Sequence, residues 1–121
     1  MVSVRYIVDD VEAAVAFYRD LLGFEVKLQP APGFAMLVRG DLRLLLNTPG
    51  GGGGAGQPMP DGSMPAPGGW NRFQFETDDL DALVASLQGS RFRNDIVEGR
   101  GGRQILVEDP SGNVVELFEP A

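Results

Sequence analysis

Neither histidine nor cysteine occurs among the 121 residues, so any chemistry must be done by carboxylates, guanidiniums, amides and aromatic rings. Their absence removes the commonest general base and the commonest transition-metal ligand. It also removes thiolate nucleophiles, disulfides and thiolate-bound zinc or iron–sulfur centres. The remaining chemistry sorts by strand alternation. Ser3, Arg5 and Ile7 share one face, opposite Val2, Val4, Tyr6 and Val8. Arg43, Leu45 and Asn47 lie opposite Leu42, Leu44 and Leu46. Arg72, Gln74 and Glu76 lie opposite Phe73 and Phe75, and Val114, Glu116 and Phe118 lie opposite Val115 and Leu117. The apolar faces are expected to pack under helices. The other faces, with Arg5, Arg43, Arg72, Gln74, Glu76 and Glu116, are suited to cup a ligand. Trp70, Phe34, Met36 and Phe118 add apolar surface for a flat aromatic ligand, with core or dimer packing as the plain alternative for each. Asn47 and Gln104 complete the ligand-binding candidates, although alternation leaves the parity of 34–39 and 102–108, and so of Met36 and Gln104, open.

The elements that must position these groups occur twice. The first half reads as a strand over 2–8, a helix over 10–22, and strands near 24–28, 34–39 and 42–47. The second reads as a strand over 70–77, a helix over 79–88, and strands near 92–98, 102–108 and 112–118. In each half a strand runs into two aspartates and then an amphipathic helix: Asp9 and Asp10 in one, Asp78 and Asp79 in the other. One aspartate of each pair is a natural N-cap, and the extra carboxylates suit the positive end of the helix dipole. Val11, Ala14, Val15, Tyr18, Leu21 and Leu22 recur at helical spacing, and Gly23 closes the helix. The residues 109–113, Asp-Pro-Ser-Gly-Asn, form a tight turn. The chain is thus expected to be α+β, two βαβββ modules of 1–48 and 70–121 arising by duplication within a single domain of 1–121. Between them, 49–69 holds five consecutive glycines (50–54) and four prolines from Pro58 to Pro67, and can form neither helix nor paired strand. It is either a disordered linker or a lid carrying Met59 and Met64. With no lysine followed by serine or threonine, and no helix starting there, it is not a phosphate-binding loop.

The net charge of −7 and pI of about 4.4 disfavour nucleic acid and anionic membrane as partners, and either mildly favour cationic small molecules or serve solubility alone. There is no apolar run of membrane-spanning length and no secretory leader before Val2, so the expected location is the cytoplasm.

Residues 6–24, YIVDDVEAAVAFYRDLLGF, resemble the opening module of the vicinal oxygen chelate superfamily, and residues 102–120, GRQILVEDPSGNVVELFEP, resemble its closing module. That superfamily contains glyoxalase I, extradiol dioxygenases, fosfomycin-modifying enzymes and bleomycin-resistance proteins. The resemblance implies paired βαβββ modules forming a cupped mixed sheet, usually in a homodimer. It also implies four metal-ligand positions, on the first and last strand of each module. Here these are Ser3, Leu45, Arg72 and Glu116, and only Glu116 keeps a ligand chemistry. Arg72 would put a permanent cation where the metal belongs. An Arg72–Glu116 pair is therefore expected, either as a fixed cation in the site or as simple mutual compensation. No catalytic residue, metal or cofactor is assigned. The favoured reading is metal-independent capture of a largely apolar or aromatic small molecule by a homodimer, of the antibiotic-sequestering kind that confers resistance. The alternatives are a lyase, isomerase or dioxygenase-like enzyme with an atypical or absent metal site, in which Glu116 is the candidate base, and an accessory dimerisation unit with no ligand.

Overall fold

The computed structural model describes residues 2–51 and 53–121. In the first module β1 (Ser3–Ile7) leads into α1 (Val11–Ala16), then β2 (Glu25–Ala31), β3 (Phe34–Arg39) and β4 (Leu42–Asn47). The second repeats the order with β5 (Gln74–Glu76), α2 (Leu80–Ser86), the short β6 (Arg91–Phe92) and β7 (Val97–Glu98), β8 (Gly102–Glu108) and β9 (Val114–Pro120). The α+β class and the doubled βαβββ order stand as expected. The strands form two separate sheets: β1-β4-β3-β2, and β5-β9-β8-β6 with β7 also on β8. Each module's first strand runs parallel to its last, and the other pairs are antiparallel. β2 lies at a sheet edge, where a Pro30 without an N–H and two register shifts are tolerated.

The helices start where the aspartates predict. Asp10 accepts from the Ala13 N–H at 3.2 Å and Asp79 from the Ala82 N–H at 3.0 Å, both with extended backbone. Beyond α1 the turns widen into a π-helical stretch, Phe17–Leu21, that sends the adjacent rings of Phe17 and Tyr18 into the core together. Gly23, at φ +74°, ends it.

Four expected strands differ, the one near 24–28 by running on to Ala31. The strand over 70–77 shrinks to Gln74–Glu76, because the Phe73 N–H is taken by the Tyr6 hydroxyl at 3.2 Å, although the Phe73 carbonyl still accepts from the Glu116 N–H. The strand over 92–98 is broken in two, because the Asn94 Oδ1 takes the Leu106 N–H that a continuous ladder would have used. The last strand begins at Val114 and not at residue 112, because Gly112, at φ +86°, belongs to the turn. In the Gly/Pro segment Gly53–Gly56 makes one 3-10 turn, and Met59 and Met64 are exposed. No described helix is long and apolar enough to cross a membrane.

The modules share a core on the helix side of both sheets. Tyr18, in α1's extension, lies within 5.0 to 6.4 Å of the rings of Phe17, Phe24, Tyr6 and Phe73, so a ring from the second module closes the cluster of the first. The turn 109–113 is the polar latch. Asp109 is buried and accepts from the Tyr18 hydroxyl at 2.8 Å, from the Ser111 and Asn113 N–H groups at 2.9 Å, and from the Asn113 side chain at 3.1 Å. Burial still pushes its carboxyl above the usual range. Asn113 also donates to the Ile7 carbonyl at 2.7 Å and accepts from the Gly68 N–H at 2.8 Å. The Tyr6 hydroxyl donates to the Val114 carbonyl at 2.7 Å and accepts from the Phe73 N–H at 3.2 Å, and its burial raises the phenol to about 12.

Candidate functional site

Strand pairing settles which candidates share a surface. In the first sheet Phe34 lies opposite Asn47, Met36 opposite Leu45, and Val38 opposite Arg43. Ser3 is level with Arg43 and Arg5 with Leu45. The intervening Tyr6, Ala35, Leu37, Leu44 and Leu46 are buried on the helix side. Arg5, Phe34, Met36 and Asn47 therefore line one face away from α1. In the second sheet Gln74 lies opposite Glu116, Glu116 opposite Leu106, and Gln104 opposite Phe118. Gln74, Gln104, Glu116 and Phe118 thus share a face, which settles the parity left open for Met36 and Gln104.

On the second face the expected Arg72–Glu116 pair is present. The Arg72 Nε and Nη2 donate to Glu116 Oε1 at 3.1 and 2.9 Å, and the Gln74 Nε2 donates to Oε2 at 2.7 Å. Both carboxylate oxygens are engaged. The side chains are 28% and 13% exposed, so the pair is screened on one side only. Arg72 also donates to the Trp70 carbonyl at 3.2 Å, which holds the chain entering β5.

Trp70 is 68% exposed, yet its ring has a rigid backing. The Arg93 guanidinium carbon sits 4.6 Å from its centroid. Arg93 is fixed by Glu108 Oε2 at 2.9 Å and by the carbonyls of Gly69 and Gly112 at 2.8 and 3.1 Å. Arg93 and Glu108 carried no mark in the sequence. Their signal was a charged pair on neighbouring strands, visible only once 91–93 is set in register against β8.

The first face is built differently. Arg5 donates to the Asn47 side-chain oxygen, and the Arg43 Nε donates to the Ser3 hydroxyl at 2.8 Å. Both acceptors are neutral. The ten candidates thus form two clusters, Arg5, Phe34, Met36 and Asn47 on one sheet and Trp70, Arg72, Gln74, Gln104, Glu116 and Phe118 around the other. Grooves of about 630 and 680 Å³ occur between the modules on the helix side, and one of about 660 Å³, past Phe24, Arg39 and Phe73, reaches the candidate Gln74. The first runs past Gly23, Arg39 and Asp79 and the second past Phe17, Arg91 and Pro110, and neither includes Arg72 or Glu116.

Residues 1–117 match the family described as the Glyoxalase/Bleomycin resistance protein/Dioxygenase superfamily. The chain belongs to that superfamily. Its fold is similar to that of a lactoylglutathione lyase from Agrobacterium tumefaciens, with 27% identity, a TM-score of 0.75, and 98% of this chain and 92% of that one covered. It is similar to TnmS3, an antibiotic binding protein from Streptomyces sp. CB03234, with 28% identity, a TM-score of 0.73, and coverage of 98% and 93%. A bleomycin-binding protein from Streptomyces verticillus, solved with copper(II)-bleomycin, shares the fold at 24% identity and a TM-score of 0.64, with 99% and 95% covered. Among curated proteins none matches.

The superfamily's metal positions do not suit a metal in this member. Ser3 already accepts from Arg43, Leu45 offers no donor atom, Arg72 is a cation, and Glu116 has both oxygens engaged. Among the described residues no group of three or more Asp or Glu converges on a common point either.

Proposed function

We propose that this superfamily member binds a largely apolar or aromatic small molecule without a metal ion and releases it unchanged, as an antibiotic-sequestering resistance protein does. The observation that carries this reading is the occupied carboxylate of Glu116. Arg72 holds one oxygen and Gln74 the other, so a fixed cation already stands against the single carboxylate left among the metal positions that the family resemblance implies. The exposed Trp70 ring, braced by Arg93, supplies a flat surface at low entropic cost. The similarity to TnmS3 supports the same class.

The two candidate faces belong to separate sheets. We therefore place the working form as a cytoplasmic homodimer of single 1–121 domains, in which the first face of one copy meets the second face of the other. The similarity to a lactoylglutathione lyase supports the competing reading, a lyase or isomerase with an atypical site. Trp70 is the sole tryptophan, so titrating its fluorescence against planar aromatic natural products separates the readings. Saturable quenching, with the compound recovered at unchanged mass and configuration, is the expected result. A converted product makes this protein an enzyme, and no quenching by any compound removes the binding reading.

A further inference from the structure

Trp70 turns one face of its indole to solvent and the other to a cation. It is 68% exposed, and the Arg93 guanidinium carbon lies over the ring, 4.6 Å from the centroid. Among the described residues no second cation and no aromatic ring lies over that indole. All three Arg93 nitrogens donate, to Glu108 and to the Gly69 and Gly112 carbonyls, so the edge of the guanidinium is spent and its face is left for the ring. The chain around Trp70 is pinned as well. The Gly68 N–H donates to Asn113, the Gly69 carbonyl accepts from Arg93 and the Trp70 carbonyl from Arg72, so three successive residues are held where the Gly/Pro segment ends.

The charge beneath the ring is not cancelled. Glu108 serves two arginines, Arg93 at 2.9 Å and Arg91 at 3.4 Å, so the three groups together carry one net positive charge. The Arg93 side chain is only 18% exposed, which limits its screening by water and salt. A π cloud is negative on its faces, and a cation against one face draws that density toward itself. The opposite face of Trp70 is then less negative than that of a free indole. It gains attraction for electron-rich and anionic rings, and loses part of the usual attraction for cations and electron-poor rings.

We propose that Arg93 makes Trp70 selective for electron-rich or anionic planar aromatics, such as alkoxyarenes and phenolates, over electron-poor or cationic ones. That a flat ligand stacks on Trp70 rests on the small-molecule reading above; the polarisation of the ring by Arg93 does not. Arg93 is thus a positioning residue that acts on the ligand only through the indole. Locally it reverses the mild preference for cations that the overall charge of −7 allows.

The test follows the single indole N–H signal of the ¹⁵N-labelled full chain, that of Trp70, by NMR. The compounds 2,6-dimethoxynaphthalene and 2,6-dicyanonaphthalene share one frame and carry no charge, and N-methylquinolinium places a cation in a ring system of the same size. Each is titrated at constant ionic strength, and its dissociation constant is read from the indole shift. The unaltered chain should bind the dimethoxy compound about two- to five-fold more tightly than the dicyano compound, with the quinolinium weakest. Arg93→Met should level or invert that order, and Arg93→Lys, which keeps the charge, should keep its direction. A purely structural Arg93 would move all three affinities alike. An order unchanged in Arg93→Met would overturn the selectivity and leave the small-molecule reading standing, as would an unaltered chain that prefers the dicyano compound or the quinolinium. Should Arg93→Met fail to fold, the order in the unaltered chain decides alone. No indole shift with any of the three compounds would overturn the small-molecule reading and the selectivity together.

Discussion

The two modules have one topology, but the arginines of their outer faces are partnered differently. At matching places, the first module holds Ser3 and Leu45 on its first and last strands, and the second holds Arg72 just before its first strand and Glu116 on its last. Four of the second module's five arginines pair with carboxylates: Arg72 with Glu116, Arg93 and Arg91 with Glu108, and Arg103 with Asp81 and Glu119. The first module keeps Arg5 and Arg43 on neutral acceptors. Only the helix-side pattern of a βαβββ unit must persist for it to fold, since that side supplies the buried core. The outer face is free to diverge, and here one copy carries the Arg72–Glu116 ion pair and the other two arginines on neutral acceptors.

The strongest way to break the pairing of the modules is at the rings they share. Tyr18→Ala empties the centre of the aromatic cluster and strips Asp109 of its hydroxyl partner, and should cost about 3–5 kcal/mol in chemical denaturation. A loss below about 1 kcal/mol would mean that the modules hold together by other contacts.

Alkali tests the same junction. Both tyrosines of the chain, Tyr6 and Tyr18, are buried there and have raised phenols, Tyr6 to about 12. In the unfolded chain a tyrosine releases its proton near 10. The folded state therefore holds more protons across the window from about 10 to 12, and stability falls as pH rises through it. Phenolate absorbance should stay absent at pH 10 and then appear together with unfolding. Half of the tyrosine signal titrating near pH 10 in the folded protein would contradict the junction.

A smaller effect separates the two faces. Glu116→Ala leaves the half-buried Arg72 unpaired and should lower stability by about 1–2 kcal/mol, whereas Ser3→Ala removes only a neutral acceptor from Arg43 and should cost less than about 1 kcal/mol. Equal losses, read from thermal melts, would erase the electrostatic contrast drawn above. Smallest of all, Arg19→Ala breaks an ion pair with both members more than half exposed and should change stability by less than about 0.5 kcal/mol.

Much of this was legible before the structure. The strands 34–39, 42–47 and 102–108 have the bounds expected of them, although alternation assigned the two faces only for 42–47 and strand register was needed for the others. The N-caps Asp10 and Asp79 are local chemistry, readable within four residues. The Arg72–Glu116 pair was legible because both positions carry ligands elsewhere in the superfamily. The latch was not: Asn113 meets the Ile7 carbonyl 106 residues away, and Tyr6 meets the Val114 carbonyl across 108, distances over which alternation has no memory. The turn 109–113 therefore read only as a turn. Trp70 was singled out as a ring, but its backing by Arg93 depends on β6 lying beside β8, and that strand is too short to declare itself.

The central claim is that ligand binding needs no metal, with Glu116 held by Arg72 and Gln74. It is tested most directly by measuring the dissociation constant of one bound aromatic compound before and after exhaustive dialysis against a chelator, with elemental analysis of both samples. An unchanged dissociation constant with no stoichiometric divalent metal in either sample is the predicted result. Binding that disappears on chelation and returns with an added transition metal would contradict it, and would mean that Arg72 yields Glu116 to the ion.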